Sequence, residues 1–337
     1  MAHRERYKVK FLIVGCGSIG RRHLENLKAL SAGEIAVFDT DRDRALLAEN
    51  NYGVRSFASY EAALAANPDA VLVCTPTSLH LDYALAAVKS DSHVFIEKPI
   101  SHSLEGLDDF ASIARDRNRI VLIGCNFRFH WGIRLVKQFM EAGKAGKVLF
   151  ADAEFGHYLP DWHPWEDYRQ TYSARKELGG GIIFDSIHEL DYLYWLFGKA
   201  GEVFSSVGKV SSLEIDVEDI AEMTVKFDSG VLARVHLDYI QRAYHRSLKV
   251  VGEEGVITWD LKKNTVDWYA GAEKLWHTSM PDADYNINDM YVDEMKHFIS
   301  CLKGEASPLA DAGEGKSVLQ IALAARRSSE AGKAVSL

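Results

Sequence analysis

VKFLIVGCGSIGRRHLENLKAL (Val9–Leu30) decides the fold. A run of β-branched and apolar residues ends at Gly15, glycines follow at 15, 17 and 20, and a helical pattern begins at once. This is the strand–turn–helix that opens a dinucleotide-binding unit. Gly15 permits the tight turn, Gly17 lets the backbone approach a pyrophosphate, and Gly20 lets the helix pack closely on the strand. The free amides at the helix start, those of Ser18, Ile19 and Gly20, then face the phosphates. Asp39 stands at the end of the next strand candidate, where a carboxylate binds the adenosine ribose hydroxyls. Its charge repels a 2′-phosphate and favours NAD, whereas Arg42 or Arg44 would welcome NADP, so both coenzymes stand. GxGxxG alone occurs in many turns. The spacing of strand, helix and acid gives it weight.

Outward from this stretch, short apolar runs alternate with amphipathic helices, the pattern of a parallel sheet covered on both faces. Strand candidates are Val9–Gly15, Glu34–Asp39, Ala70–Thr75, His93–Lys98 and Ile120–Gly124, with a weaker one near Val54–Phe57. Helices are expected around Gly20–Leu30, Arg42–Asn50, Tyr60–Ala66, Ser78–Lys89 and Leu104–Arg117.

After Cys125 the texture changes. An aromatic, polar stretch (Gly156–Lys176) leads to three glycines at 179–181 and an apolar helix expected over Ile182–Phe197. Two-residue alternation then recurs in EVFSSVGKV, AEMTVKF, VLARVHLDYI, SLKVVG, VITWDL and TVDWYA, the mark of a largely antiparallel sheet with one covered face. Two helices, near Met290–Leu302 and Gly313–Ala331, close the chain. The expected fold class is α/β: a doubly wound Rossmann sheet over 1–124, then an α+β domain with an open-faced, mostly antiparallel sheet over 125–337. The last helix has the option of packing back on the first domain.

The 337 residues suit two domains, and 47% hydrophobic with 26% charged residues is an ordinary globular balance. A formal net charge of −9 without a dense basic run argues against nucleic acid or an anionic membrane as partner. No stretch approaches the ~18 apolar residues of a membrane helix, and MAHRERYKVK has no secretory h-region. A soluble cytoplasmic protein is expected. Cys16, Cys74, Cys125 and Cys301 form no CxxC pair and read as buried free thiols. Gly315-Lys316-Ser317 resembles the end of a P-loop, but Ala310 occupies the required glycine position and no strand precedes it. A helix start is the better reading.

Several motifs occur in order: GCGSIG, TPTSLH (Thr75–His80), EKP (Glu97–Pro99), NFRF (Asn126–Phe129) and GGGIIFDSIHELD (Gly179–Asp191), followed by GEEGVITWD and YVDEMKHFI. Together they resemble the glucose–fructose oxidoreductase, inositol dehydrogenase and rhizopine-catabolism family (Gfo/Idh/MocA) along nearly the whole chain. The resemblance implies the two-domain fold, a sheet that often mediates homodimers or homotetramers, and no metal. It also implies hydride exchange between nicotinamide and a hydroxyl or keto carbon of a sugar, polyol, sugar acid or nucleotide sugar. By similarity Lys98 lies beside the nicotinamide, His188 transfers the proton, and Asp185 is the acidic member of that group. Thr75, Pro76, His80 and Glu97 would line the cofactor, and Asn126 and Arg128 the substrate. One departure stands out: acid and histidine are three residues apart here, where many members have four, and on a continuous helix both would still fall on one face.

The chemistry suits these residue types. Oxidising an alcohol removes a hydride from carbon and a proton from oxygen, and histidine titrates near neutrality. A lysine near a cationic ring either joins the proton relay or stays charged and steadies an alkoxide. Glu189 reads as structural, and Asp191 is placed either to cap a network or to touch substrate. Within 157–181, Trp162 and Tyr172 offer faces for a sugar ring, and Arg169, Arg175 and Lys176 offer cations for a carboxylate or phosphate. The same stretch would also serve as an ordered loop at an interface. His157, Asp161 and His163 lack a metal-site pattern. Two other functions fit the same fold: an NAD-dependent glycoside hydrolase, and a non-catalytic cofactor-sensing regulator.

Overall fold

The computed structural model describes residues 8–337, so most of the charged amino-terminal stretch lies outside the described residues. Two compact units emerge. The first comprises Met1–Gly124 and Tyr291–Lys316, the second Cys125–Met290 and Ser317–Leu337. The span expected to form the second domain is therefore interrupted, because the chain returns to the first unit for 291–316.

In the first unit, strands β1 (Val9–Val14), β2 (Gly33–Phe38), β3 (Arg55–Ser56), β4 (Ala70–Val73), β5 (His93–Glu97) and β6 (Val121–Gly124) form one sheet in the order β3-β2-β1-β4-β5-β6. Every pairing is parallel. This is the doubly wound order with a switch point between β1 and β4. Helices α1 (Ser18–Ala29), α2 (Arg42–Tyr52), α3 (Tyr60–Leu64), α4 (His80–Lys89) and α5 (Leu107–Asp116) connect the strands. Local chemistry sets the boundaries. Asp41 caps α2 by accepting from the Asp43 and Arg44 amides, and Gly53 ends it in the left-handed region. Apolar residues on both faces of β1, β4 and β5 are buried.

The second unit opens with α6 (Trp131–Glu141) and a nine-stranded sheet: β7 (Val148–Gly156), then, after α7 (Ile182–Asp185) and α8 (His188–Phe197), β8 (Ala200–Gly208), β9 (Ile220–Phe227), β10 (Leu232–Asp238), β11 (His245–Gly252), β12 (Gly255–Asp260), β13 (Thr265–Ala270), β14 (Leu275–Ser279) and, at the end of the chain, β15 (Val335–Ser336). Its order is β14-β13-β12-β11-β7-β10-β9-β8-β15, antiparallel except for β10 on β7. Strict alternation explains its two faces: Ala221, Met223, Val225 and Phe227 of β9 are buried, while Glu222, Thr224 and Lys226 face out. Helices α9 (Asp289–Leu302) and α10 (Ala312–Ala331) follow β14. Met295 and Phe298 of α9 complete the core of the first unit against Phe95 and Leu122. Gly315 and Lys316 sit inside α10, where Lys316 pairs with Asp108, so the P-loop likeness is structural. No helix among the described residues is long and apolar enough to cross a membrane.

One expectation fails in an instructive way. The helix expected over Ile182–Phe197 is two helices, and the backbone leaves the helical region at Ser186 (φ −102°, ψ 36°). Asp185 and His188 therefore lie on opposite sides of a break, and the argument that their spacing puts them on one helical face does not apply.

His130 gives the second unit an acid-sensitive core. Its Nδ1 accepts the Gly132 amide and caps α6, while the ring stacks on Phe127 and meets Trp259 edge-on. Nε2 has no hydrogen-bond partner among the described residues. Burial, and secondarily the charge of Arg246, pushes this imidazole down to about 3. The unfolded chain takes up the proton near pH 6.5 and the folded one does not. Stability from this group is therefore complete above pH 6.5 and lost as pH falls toward 3. We expect the unfolding midpoint in urea to fall across that window, and His130→Phe to flatten the fall.

All four cysteines are buried and free. Burial, then the charge of Asp39, lifts the Cys16 thiol to about 12, and burial raises Cys74 and Cys301 as well. The thiolate is the reactive form. Iodoacetamide at pH 8 should label none of them in the folded protein and all four in guanidinium, read by intact mass. Labelling of folded Cys16 would contradict this.

Candidate active site

The site begins with the loops that leave the carboxyl ends of β1, β4 and β5. Gly15 has φ +95°, and a Cβ there would lie 2.5 Å from the Cys74 carbonyl oxygen. A Cβ at Gly20 would lie 1.9 Å from the Gly15 oxygen, so neither position admits a side chain. Gly17 is different: a Cβ there meets nothing within 4 Å, and it caps α1 with no side-chain hydrogen bond. An uncapped 12-residue helix behind an open glycine suits a diphosphate. Asp39 is locked by its neighbours, with Oδ2 accepting the Cys16 amide (2.6 Å) and Oδ1 the Asp41 amide (2.8 Å). Beside it lies a cavity of about 370 Å³ lined by Asp39, Thr40, Arg42, Ser59, Tyr60 and Tyr83. These residues fit the adenosine half of a pyridine dinucleotide. Arg42 gives its guanidinium to Ser56 Oγ (3.1 Å) and the Phe57 carbonyl (3.3 Å), and Arg44 pairs with Asp41.

The EKP loop is held by buried polar groups. Glu97 Oε1 lies 2.6 Å from His23 Nε2, and Oε2 accepts the Lys98 amide (3.2 Å). Glu294 of α9 completes the cluster, with one donor atom from each residue within 4.8 Å of the others. Glu97 thus serves the backbone of Lys98 rather than an open surface. His80 spans the two neighbouring loops: Nδ1 is 2.7 Å from the Pro99 carbonyl and Nε2 is 2.8 Å from the Thr75 carbonyl. Only a doubly protonated ring donates to both. Burial, with the charge of Lys98, holds its pKa below the usual imidazole range against the upward pull of the two carbonyls and Glu97, so a neutral ring donates to one carbonyl at a time. The His80 nitrogens therefore join the Thr75 and Pro99 turns. Thr75 and Lys98 themselves are partly exposed.

In the second unit, Asp185 is buried and accepts hydrogen bonds from two phenols, Tyr172 at Oδ1 and Tyr239 at Oδ2 (2.9 Å). His188 starts α8, is partly exposed, and packs its ring against Phe127 at 5.0 Å. Behind it two buried ion pairs anchor α8. Arg128 grips Asp191 through Nε (3.1 and 3.2 Å) and Nη2 (2.7 Å), and Arg246 meets Glu189 at 2.9 Å. The Arg246 guanidinium also lies between the rings of Phe127 (4.5 Å) and Phe155 (4.1 Å).

Two residues expected at the substrate are held by other side chains. Arg128 is 0% exposed and committed to Asp191, so it supports α8 rather than a ligand. Arg169 is exposed, but Asp167 and Glu214 neutralise it. Asn126 is 2% exposed; Nδ2 reaches Met290 Sδ (3.5 Å), and Oδ1 has no partner among the described residues. Trp162 bonds the His157 carbonyl and packs edge-on to Tyr239 (5.3 Å). His157 stacks on Trp162, His163 meets Trp165 edge-on, and neither joins a cluster of metal-ligating atoms among the described residues. His23, Tyr239 and Arg246 were missed from sequence. His23 had a signal, as a polar residue within the buried stripe Gly20, Leu24, Leu27 of α1.

Comparison with known proteins agrees with this construction. Residues 9–125 match the profile described as an oxidoreductase family with an NAD-binding Rossmann fold, and residues 133–258 match the GFO/IDH/MocA C-terminal domain. Myo-inositol 2-dehydrogenase of Thermotoga maritima is 29% identical over 96% of this chain and 97% of its own. UDP-N-acetylglucosamine 3-dehydrogenase of Acidithiobacillus ferrooxidans is 28% identical over 95% of this chain and 96% of its own. The crystal structure of the WlbA dehydrogenase from Chromobacterium violaceum, in complex with NADH and UDP-GlcNAcA, superposes with a TM-score of 0.83 at 26% identity, covering 98% of this chain and 96% of that one. With its glycine turn, EKP loop and open-faced sheet all in place, the chain belongs to the Gfo/Idh/MocA family of NAD(P)-dependent oxidoreductases.

Proposed function

We propose that this protein is a cytoplasmic, NAD-preferring dehydrogenase of a sugar, polyol or nucleotide sugar, with Lys98 and His188 moving the substrate proton. One observation carries the reading. The loops bearing GCGSIG, Thr75-Pro76 and Glu97-Lys98-Pro99 leave adjacent strands β1, β4 and β5 at the same sheet edge, at the switch point where ligands bind in open α/β sheets. A nicotinamide bound there supplies the hydride acceptor. The chain's own work is to hold it through the α1 amides and Asp39, to fix Lys98 through Glu97, and to offer His188 as a proton carrier. Relatives that act on inositol and on UDP-N-acetylglucosamine support the substrate class.

The test is absorbance at 340 nm with NAD⁺ or NADP⁺ and a panel of inositols, free sugars, sugar acids and UDP-sugars. Net NADH formation with a hydroxylic substrate is expected. No calorimetric affinity for either coenzyme overturns the reading. Asp39→Ser should weaken NAD⁺ about tenfold, through lost charge-assisted hydrogen bonds, while leaving or improving NADP⁺. Equal loss for both coenzymes would contradict the role given to Asp39. Assembly of two or four copies belongs to the same reading, supported by Phe204 and Leu232 exposed on the open face of the nine-stranded sheet. Light scattering that shows a monomer at working concentration removes that part.

A further inference from the structure

We infer that Tyr172 is a substrate ligand that only accepts hydrogen bonds, with Asp185 and Tyr239 as its positioning residues, so that this point of the site takes a hydroxyl or amide N–H and rejects a carboxylate. The inference rests on the dehydrogenase reading above and narrows its substrate class. It follows from a count of protons. An ionised carboxylate only accepts, and a phenol has a single proton to give. Tyr172 and Tyr239 both spend theirs on Asp185, one on each oxygen. Tyr239 is 0% exposed, and its oxygen also lies 3.5 Å from the Ser173 carbonyl, so it is a support. Tyr172 is partly exposed, and with its proton on Asp185 the phenol oxygen can only accept further hydrogen bonds.

The position is built. Tyr172 starts a single 3₁₀ turn (Tyr172–Ala174) that lies directly on the triple glycine. A Cβ at Gly180 would fall 2.1 Å from the Tyr172 carbonyl oxygen and 2.8 Å from that of Ser173. The Gly180 and Gly181 amides bond the Arg175 (3.0 Å) and Ser173 (3.1 Å) carbonyls. Gly181, at φ +108°, then turns the chain into α7, which delivers Asp185. The glycines thus bring the turn and the acid together, and the break after Asp185 is compatible with an acid aimed at the phenols. The family-like role of Asp185 then passes through Tyr172. A sugar hydroxyl has a proton for the phenol oxygen, and so does an N-acetyl amide. A carboxylate or ketone has none, and it would face lone pairs in front of a buried negative charge.

The experiment uses full-length protein labelled with 3-fluorotyrosine, the Tyr172 resonance being assigned by its loss in Tyr172→Phe. With NAD⁺ present, myo-inositol, UDP-N-acetylglucosamine, D-glucuronate and UDP-glucuronate are titrated by ¹⁹F NMR and calorimetry. At least one hydroxylic ligand is expected to bind and shift the Tyr172 signal. Tyr172→Phe should weaken that ligand about tenfold, the scale of one hydrogen bond, and raise KM more than it lowers kcat. Asp185→Asn, whose amide donates to a phenol, should shift the Tyr172 signal without ligand and narrow the preference for the alcohol over the acid. Three results overturn the inference: no hydroxylic ligand binds, a ligand binds while the Tyr172 signal stays still, or Asp185→Asn leaves that signal unchanged. Binding that shifts Tyr172 without any NADH formation sinks the dehydrogenase reading instead and leaves this one standing.

Discussion

Replacing Lys98 by alanine, or His188 by alanine, is expected to lower turnover at least ~100-fold, the usual scale for an acid–base group. The expectation draws on how the backbone under Lys98 is held. Glu97 accepts the Lys98 amide and is tied to His23, so the main chain should keep its place when the ammonium is removed. The loss should therefore fall on chemistry more than on folding, with NAD⁺ affinity within a few-fold of the parent. Lys98→Arg separates two roles. A guanidinium keeps its charge at every working pH and cannot give up a proton. Partial rescue by arginine assigns Lys98 to steadying an alkoxide, and no rescue assigns it to the proton relay. Near-normal turnover in a folded Lys98→Ala or His188→Ala protein rejects the assignment of that residue.

The second large effect is on stability. Arg128→Met should cost about 3–5 kcal/mol, because it leaves the buried Asp191 carboxylate without its bidentate partner. The pair is a weak source of net stability and a strong liability when halved. The double variant Arg128→Met, Asp191→Leu should therefore recover much of the loss, since no charge is left unpaired. Urea unfolding reads both. A single variant that costs less than ~1 kcal/mol would show that water reaches Asp191 readily, against its 2% exposure.

The first unit was legible almost element by element, because parallel strands buried on both faces announce themselves as apolar runs. The second unit was read in outline and missed at its centre. In β7 (VLFADAEFG) only Ala151, Ala153, Phe155 and Gly156 are buried, Leu149 is exposed, and Asp152 and Glu154 interrupt the apolar run, so the strand is diluted in sequence. It nonetheless sits between β10 and β11, because the sheet supplies neighbours on both sides. The charged residues misled for a related reason. Arg128 and Arg169 have the composition of a ligand site, but the partners of a cation depend on residues far along the chain, such as Asp191 and Glu214.

By itself, then, the sequence determined the glycine turn, the parallel sheet, the EKP lysine and the family. These depend on backbone conformation and periodicity within a few residues, and the chain states them locally. Tertiary structure alone decided that 291–316 returns to the first unit, that the helix after the triple glycine breaks at Ser186, and that Asp185 binds Tyr172 and Tyr239. Those outcomes hinge on which buried polar atom finds which partner, and a buried donor or acceptor is satisfied by whatever the fold brings within 3 Å.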